Sequence, residues 1–261
     1  MKQIFLLPLF WLCLAAKAQE TEENYGAIIT DRPDQTESPN LVSTGFLQIE
    51  TGFAFEEAST SNFNEKTTTY NATLLRYGLL DNLELRLGFD FSETETKLKN
   101  GLGTNLSSGM SPLYAGFKIG VTEEKGMLPK IGFLGGVLLP FTAADAFRPT
   151  YTGGEFRFAF AHTLSDKWSL SYNTGVSWNG TTPNASYLYS LVWGYAFTEK
   201  LSAFAEVYGS FPEDEKAQHL ADAGLTYLIS NNFQLDLAAG TGISTDQDFF
   251  VGIGASLRLP K

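Results

Sequence analysis

From residue 44 onward the sequence alternates between apolar and polar residues, segment after segment, and this two-residue period narrows the available folds more than anything else in the chain. Successive side chains of a strand point to opposite faces, so each segment divides into two sets. Asn82–Ser92 gives Leu83, Leu85, Leu87, Phe89 and Phe91 on one face and Glu84, Arg86, Gly88 and Asp90 on the other. Thr44–Phe55 sets Leu47, Ile49, Thr51, Phe53 and Phe55 against Gln48, Glu50, Gly52 and Ala54; the last segment sets Phe249, Val251, Ile253, Ala255, Leu257 and Leu259 against Phe250, Gly252, Gly254, Ser256 and Arg258. Twelve such segments are readable, near 44–55, 67–78, 82–93, 111–121, 128–139, 154–164, 167–178, 186–197, 200–211, 218–229, 232–243 and 248–259. Each has about 10 to 12 residues, the length a tilted strand needs to cross a bilayer.

The connections between segments alternate in length. Leu79–Asp81, Thr122–Met127, Ser165–Asp166, Thr198–Glu199 and Ser230–Asn231 are short and turn-like. Glu56–Lys66, Thr94–Met110, Pro140–Gly153, Asn179–Ala185, Pro212–Ala217 and Ser244–Gln247 are longer or more polar. This pattern predicts an all-β fold, an antiparallel transmembrane β-barrel of about twelve strands of the outer-membrane type, with both chain ends on the short-turn side. A two-sheet sandwich would alternate in the same way. Against it, Tyr77, Trp168, Trp178, Tyr187, Tyr195 and Tyr227 fall near strand ends on the apolar face, as in interfacial girdles, and the other face is rich in Gly, Ser and charge, as in a wet lumen.

A mean hydropathy of −0.08 fits such a barrel, and a net charge of −11 argues against nucleic acid as a partner, which calls for a concentrated basic face. Residues 1–18 are expected to be a signal peptide: Lys2 is the positive end, Ile4–Ala16 the apolar run and Ala16-Lys17-Ala18 the cleavage site, with cleavage after Ala18. Cys13 lies inside that run behind Phe10, Trp11 and Leu12, where lipid attachment would call for small residues. The expected organisation is therefore a signal peptide (1–18), a periplasmic N-terminal segment (19–43) and the barrel (44–261).

The stretch Thr30–Pro39, TDRPDQTESP, followed by Gly45-Phe46-Leu47-Gln48-Ile49-Glu50-Thr51-Gly52-Phe53, resembles the opening of a bacterial outer-membrane transporter family named for the MetA pathway of phenol degradation. The resemblance continues through Leu75-Arg76-Tyr77-Gly78-Leu79, Leu83-Glu84-Leu85-Arg86, Tyr114-Ala115-Gly116-Phe117-Lys118, Phe204-Ala205-Glu206-Val207-Tyr208-Gly209 and Gln234-Leu235-Asp236-Leu237. It implies an outer-membrane barrel with a transport role. One departure is the C-terminus, Leu259-Pro260-Lys261, where many such barrels end in an aromatic residue.

The polar face places Glu50, Glu84, Asp90, Glu155, Glu206, Asp222 and Asp236 in the lumen with Arg76, Arg86, Lys118, Arg157 and Arg258. Such mixed charge suits a ladder of ion pairs, since a buried charge must be paired or wet. The segment Asp31–Pro39 has little apolar surface, and Pro33 and Pro39 disfavour a helix. It is expected to fold into the periplasmic mouth, with Asp31, Asp34 and Glu37 meeting Arg76 and Arg86, and with Arg32 meeting Glu84 or Glu50. That makes Asp31, Arg32, Asp34, Glu37, Glu50, Arg76, Glu84, Arg86, Glu206 and Asp236 the candidate substrate or gate residues; a tail docked only for stability or assembly is the competing view.

Catalysis, metals and cofactors are not expected. His162 falls on the apolar face while Ser169 and Ser171 fall on the other, and His219 has no evident partner, so no nucleophile, base and orienting group come together. Beyond Cys13 the chain has no cysteine, and its two histidines are isolated. Acidic runs such as Pro212-Glu213-Asp214-Glu215 and Asp246-Gln247-Asp248 fit solvated loops better than Ca²⁺ sites. The expected function is a passive channel for small molecules, apolar or aromatic ones among them, with Phe204, Tyr208, Phe141, Phe147 and Tyr151 supplying contacts. Its expected partners are outer-membrane lipid and the barrel-insertion machinery. The alternative is a non-transporting structural or interaction barrel whose loops Thr94–Met110 and Pro140–Gly153 meet partners outside the cell.

Overall fold

A computed structural model describes residues 25–99, 101 and 103–260; the signal-peptide expectation lies outside them. The strands are β1 (Leu47–Ser59), β2 (Phe63–Leu80), β3 (Leu83–Leu98), β4 (Thr104–Met110), β5 (Leu113–Thr122), β6 (Lys130–Leu139), β7 (Gly153–Thr163), β8 (Trp168–Trp178), β9 (Ser186–Ala196), β10 (Leu201–Pro212), β11 (Gln218–Ser230), β12 (Phe233–Gly242) and β13 (Gln247–Leu259). Each pairs antiparallel with its neighbours, and β1 pairs with both β2 and β13 while β2 pairs with β3, so the sheet closes on itself and leaves no unpaired backbone at its seam. β4 and β5 act as one interrupted strand. β5 pairs with the lower part of β3 (Leu83–Gly88) and β4 with its upper part (Phe91–Lys97), the break falling at Ser111-Pro112, where proline has no N–H to give the ladder. The wall is thus a closed twelve-stranded barrel.

Burial runs opposite to that of a water-soluble protein. Arg76, Glu50, Glu84 and Lys118 are fully buried, whereas Leu85 is 43% and Phe158 44% exposed, with Phe53, Phe156, Trp168, Tyr187, Leu237 and Ile253 on the same outer surface. The alternation therefore turns its charged face inward and its apolar face to lipid.

Two connections are shorter than the sequence suggests. Thr94–Met110 is not a loop: β3 runs to Leu98, and β4 begins at Thr104. In Glu56–Lys66, β1 reaches Ser59 and β2 starts at Phe63. These strand ends are polar on both faces (Glu93-Thr94-Glu95-Thr96-Lys97), because beyond the hydrocarbon neither face needs to be apolar and the period disappears from the sequence. A bulge in β2 between Thr69 and Asn71 also shifts the phase, keeping Tyr70 outside beside Phe53 and Phe91 and bringing Thr67 and Thr69 into line with Ala54 and Glu56.

The segment before β1 is threaded into the barrel. It enters at the short-turn mouth, where the Ile28 N–H donates to the Asn231 carbonyl, and leaves there too, where Gly45 N–H donates to Gly78 O. Between them Asp31–Pro39 crosses the lumen and touches β1, β2, β3, β5, β8, β9, β10 and β12. It holds no helix or ladder strand.

Candidate functional site

The site is this inner segment and the wall it meets. At its centre is Asp31, buried, whose carboxylate accepts from Arg86 at 2.6 Å and Lys118 at 2.8 Å and lies 3.1 Å from Arg76. Its Oδ1 also accepts the Ser38 N–H at 3.0 Å, closing the segment into a compact loop. Burial alone would raise the Asp31 carboxyl, but Arg76, Lys118 and Arg86 together hold it well below the usual carboxylate range.

β2, β3 and β5 present these cations because Arg76, Arg86 and Lys118 occupy inward positions of adjacent strands, Arg76 opposite Arg86 and Glu84 opposite Lys118. Arg76 is forked onto Glu84 (2.8 and 2.9 Å) and reaches Glu50 at 2.8 Å, while Arg86 holds Glu37 through both oxygens at 2.8 and 3.0 Å. In the wall itself three cations face two carboxylates, Glu50 and Glu84; Asp31 and Glu37 of the segment supply the missing negative charge. The carboxylates also bind the segment's backbone: Glu50 accepts the Asp31 N–H at 3.0 Å and Glu84 the Val42 N–H at 2.9 Å.

On the opposite wall the contacts are sparser. Arg32 pairs with Asp236 of β12 at 3.0 Å, not with Glu84 or Glu50 as the sequence led us to expect. The reason is steric. Gly52 and Gly254 face each other across β1 and β13, and a Cβ on either would strike the Arg32 guanidinium, so the pair forms a slot that aims Arg32 at β12. Asp34 also departs from expectation, meeting neither Arg76 nor Arg86. Burial and the neighbouring Glu206 and Asp222 carboxyls push its own carboxyl well above the usual range. Glu206 of β10 accepts the Gln35 N–H at 2.7 Å and the Thr36 hydroxyl, which also contacts Ser190 of β9 at 2.7 Å. Asn173 of β8 grips Glu37 by both backbone groups, accepting its N–H at 2.7 Å and donating to its carbonyl at 2.9 Å.

All ten candidate residues therefore meet in or beside this interior contact. The sequence reading left Lys118, Asn173, Thr36, Ser190 and the glycine slot out of it. Lys118 is legible as a lumen cation from the alternation of β5, and Thr36 lies within the Thr30–Pro39 motif; Asn173, Ser190 and the two glycines carry no charge or motif that would single them out. Of the remaining lumen charges, Arg157 pairs with Glu155 at 2.7 Å and Arg258 donates to the Gly26 carbonyl at 2.7 Å. His162 stands beside Tyr172, and His219 accepts or donates at Nδ1 to the Tyr189 hydroxyl at 2.7 Å.

Beyond the segment, toward the long loops, lies a cavity of about 410 Å³ with Arg32, Pro33 and Gln35 as its floor and Tyr208, Leu220, Phe250, Glu56 and Thr69 among its walls. A second, of about 580 Å³, opens at the short-turn mouth between Tyr25, Leu41, Gln48 and Asn82.

Among solved structures, the chain is similar to an outer membrane channel from Pseudomonas putida F1 (14% identity, TM-score 0.66, 92% of this chain and 99% of that one). It is also similar to the KdgM porin in complex with oligogalacturonate (8%, 0.55, 80% and 98%) and to the translocator domain of the autotransporter NalP from Neisseria meningitidis (11%, 0.54, 84% and 90%). At these identities the likeness establishes the fold. No curated protein matches the sequence. The model of the family described as "Putative MetA-pathway of phenol degradation" matches residues 30–259, from the threonine that opens the inner segment to the end of β13, and the chain is a member of that outer-membrane barrel family.

Proposed function

We propose that the protein is an outer-membrane channel for passive uptake of small molecules, and that its own N-terminal segment is the gate. The observation that carries this reading is the position of Asp31–Pro39 across the lumen, fixed by ion pairs to β2, β3, β5 and β12. A barrel built only as a scaffold could fill its lumen with side chains from the wall; here the filling is a separate stretch of chain that enters and leaves by one mouth and can withdraw through it.

The cavity above the segment is where a solute would wait. Its volume is within the usual range for small-ligand sites, and it joins apolar walls (Tyr208, Leu220, Phe250) to a few polar groups (Thr67, Thr69, Gln247), which suits a small aromatic or apolar molecule carrying a hydroxyl. Of the aromatics expected to supply contacts, Tyr208 lines it. The similarity to an outer membrane channel over nearly that protein's full length supports the same reading.

The test compares single-channel conductance of the mature chain with that of a variant lacking Thr21–Pro39, each shown to be closed by a heat-modifiability gel. The deletion is expected to raise conductance severalfold and to speed liposome swelling in small phenols. Equal conductance in two well-inserted barrels would contradict the gate, and silence from both would favour a non-transporting barrel.

A further inference from the structure

Asp222 stands directly opposite Glu206 in the β10–β11 pair, and opposed residues of such a pair hold their Cβ atoms roughly 4.5–5.5 Å apart. It is only 6% exposed, and both of its carboxylate oxygens are buried without a hydrogen-bond partner. Elsewhere in this lumen, buried carboxylates such as Asp31, Glu50 and Glu84 are met by Arg or Lys. Among the described residues neither Asp222 nor Glu206 has a salt-bridge partner, and no group of three or more metal-ligating side chains surrounds them.

The groups facing Asp222 make matters worse for a negative charge. From β10 come Glu206 and Tyr208; from the inner segment comes Asp34; on β12 the opposite residue is Gly240, and the nearest acid further along, Asp236, has already taken Arg32. Two ionised carboxylates so placed, buried and without a cation, repel each other strongly, and a proton on one of them removes the repulsion and supplies the missing donor.

We propose that Asp222 is a proton-binding site, held as the neutral acid with its O–H donated to the Glu206 carboxylate, and that this proton latches the inner segment in place. Glu206 then keeps its charge and gathers three donors: the Asp222 O–H, the Gln35 N–H and the Thr36 hydroxyl. Removing the proton leaves Asp222 ionised against Glu206 and Asp34, so the tip of the segment is pushed from β9 and β10 while Asp31 still holds its other side. The proposal rests on the segment being the gate only for its consequence in transport; the proton itself is read independently of conduction.

Two measurements on the refolded mature chain test it. Infrared difference spectra are expected to show protonated-carboxyl absorption at neutral pH that fades as the medium becomes alkaline, with one component lost in Asp222→Asn and still present in Asp34→Asn. A nitroxide on Gln35→Cys, which retains the backbone N–H, is expected to be immobile at neutral pH and to gain a mobile fraction at alkaline pH, and to stay immobile throughout when Asp222→Asn is added. Absence of the absorption from the wild-type chain, or its undiminished survival in Asp222→Asn, overturns the proton site. Label mobility that is flat in both backgrounds, or rises equally in both, overturns the latch. Should Asp222→Asn not refold, the pH series of Asp34→Asn decides the first point: protonated-carboxyl absorption that remains at neutral pH and fades in alkali supports the site, and its absence overturns it.

Discussion

The two walls that hold the inner segment work by different chemistry. On β2, β3 and β5 a single carboxylate, Asp31, is shared by Arg76, Arg86 and Lys118, and Glu50, Glu84 and Glu37 complete a closed, buried network. On β9, β10 and β12 the contacts are one arginine pair, one backbone N–H, the Thr36 hydroxyl and the Gln234 amide on the Thr30 hydroxyl, beside three carboxyl groups with few cations among them. In the first, each charge has several partners, so loss of any one group strands the others in a dry interior. In the second, each contact can be given up singly. The basic wall is thus the anchor and the acidic wall the place where the segment can let go, a division of labour that one end of a plug needs if the other is to move.

The comparison can be broken hardest at Asp31. Asp31→Ala leaves three buried cations without their common partner, and removing one member of a buried network costs about 3–5 kcal/mol. The segment is expected to leave the lumen, and single-channel conductance to approach that of the deletion variant. Gly254→Val attacks the other wall by filling the Arg32 slot, with a packing penalty of about 1–3 kcal/mol. It should displace Arg32 from Asp236 and raise conductance in part, while the heat-modifiability shift of the barrel stays as in the wild type.

Mild acid sharpens the contrast. Asp31 is held below its ordinary range, so its contribution is present above the unfolded-chain value and is lost only as pH falls through the lower folded value; between neutrality and about pH 5 the Asp31 share of the anchor is unchanged. Asp34 is held above its range, so the folded state binds the proton more readily and docking strengthens as pH falls through that raised value. Conductance should therefore drop as pH falls through that raised value, and Asp34→Asn should remove Asp34's share of the drop. The smallest effect belongs to Thr36→Val, which removes one hydroxyl from Glu206 and Ser190 and costs about 1 kcal/mol. A slight rise in flicker between conductance levels is its expected signature, measured at constant voltage.

Much of this is legible in the sequence, because lipid on one side and water on the other impose a two-residue period that survives there; all twelve membrane-crossing segments stand within a few residues of their expected places. The period fails where that contrast ends. Glu93–Lys97 and the residues of β4 stand above the bilayer and alternate between nothing chemically distinct, so they read as a loop. Asp31 and Glu37 were assigned to the lumen cations on charge alone, which suffices where cations are many. Arg32 and Asp34 were misassigned because their positions depend on shape: a two-glycine slot across a strand pair, and a turn through Pro33 that carries Asp34 to the acidic wall. Charge counting cannot see either.

The most direct test of an N-terminal segment docked in the lumen is a disulfide between Thr36→Cys and Ser190→Cys, whose native side chains touch in the closed barrel and which would be the only cysteines of residues 19–261. The account predicts that the bond forms without added catalyst, that the oxidised protein conducts no better than the wild type even with Asp31→Ala present, and that reduction of that triple variant opens the channel. Failure of the two cysteines to join in a folded barrel, or conductance indifferent to their oxidation, would contradict it.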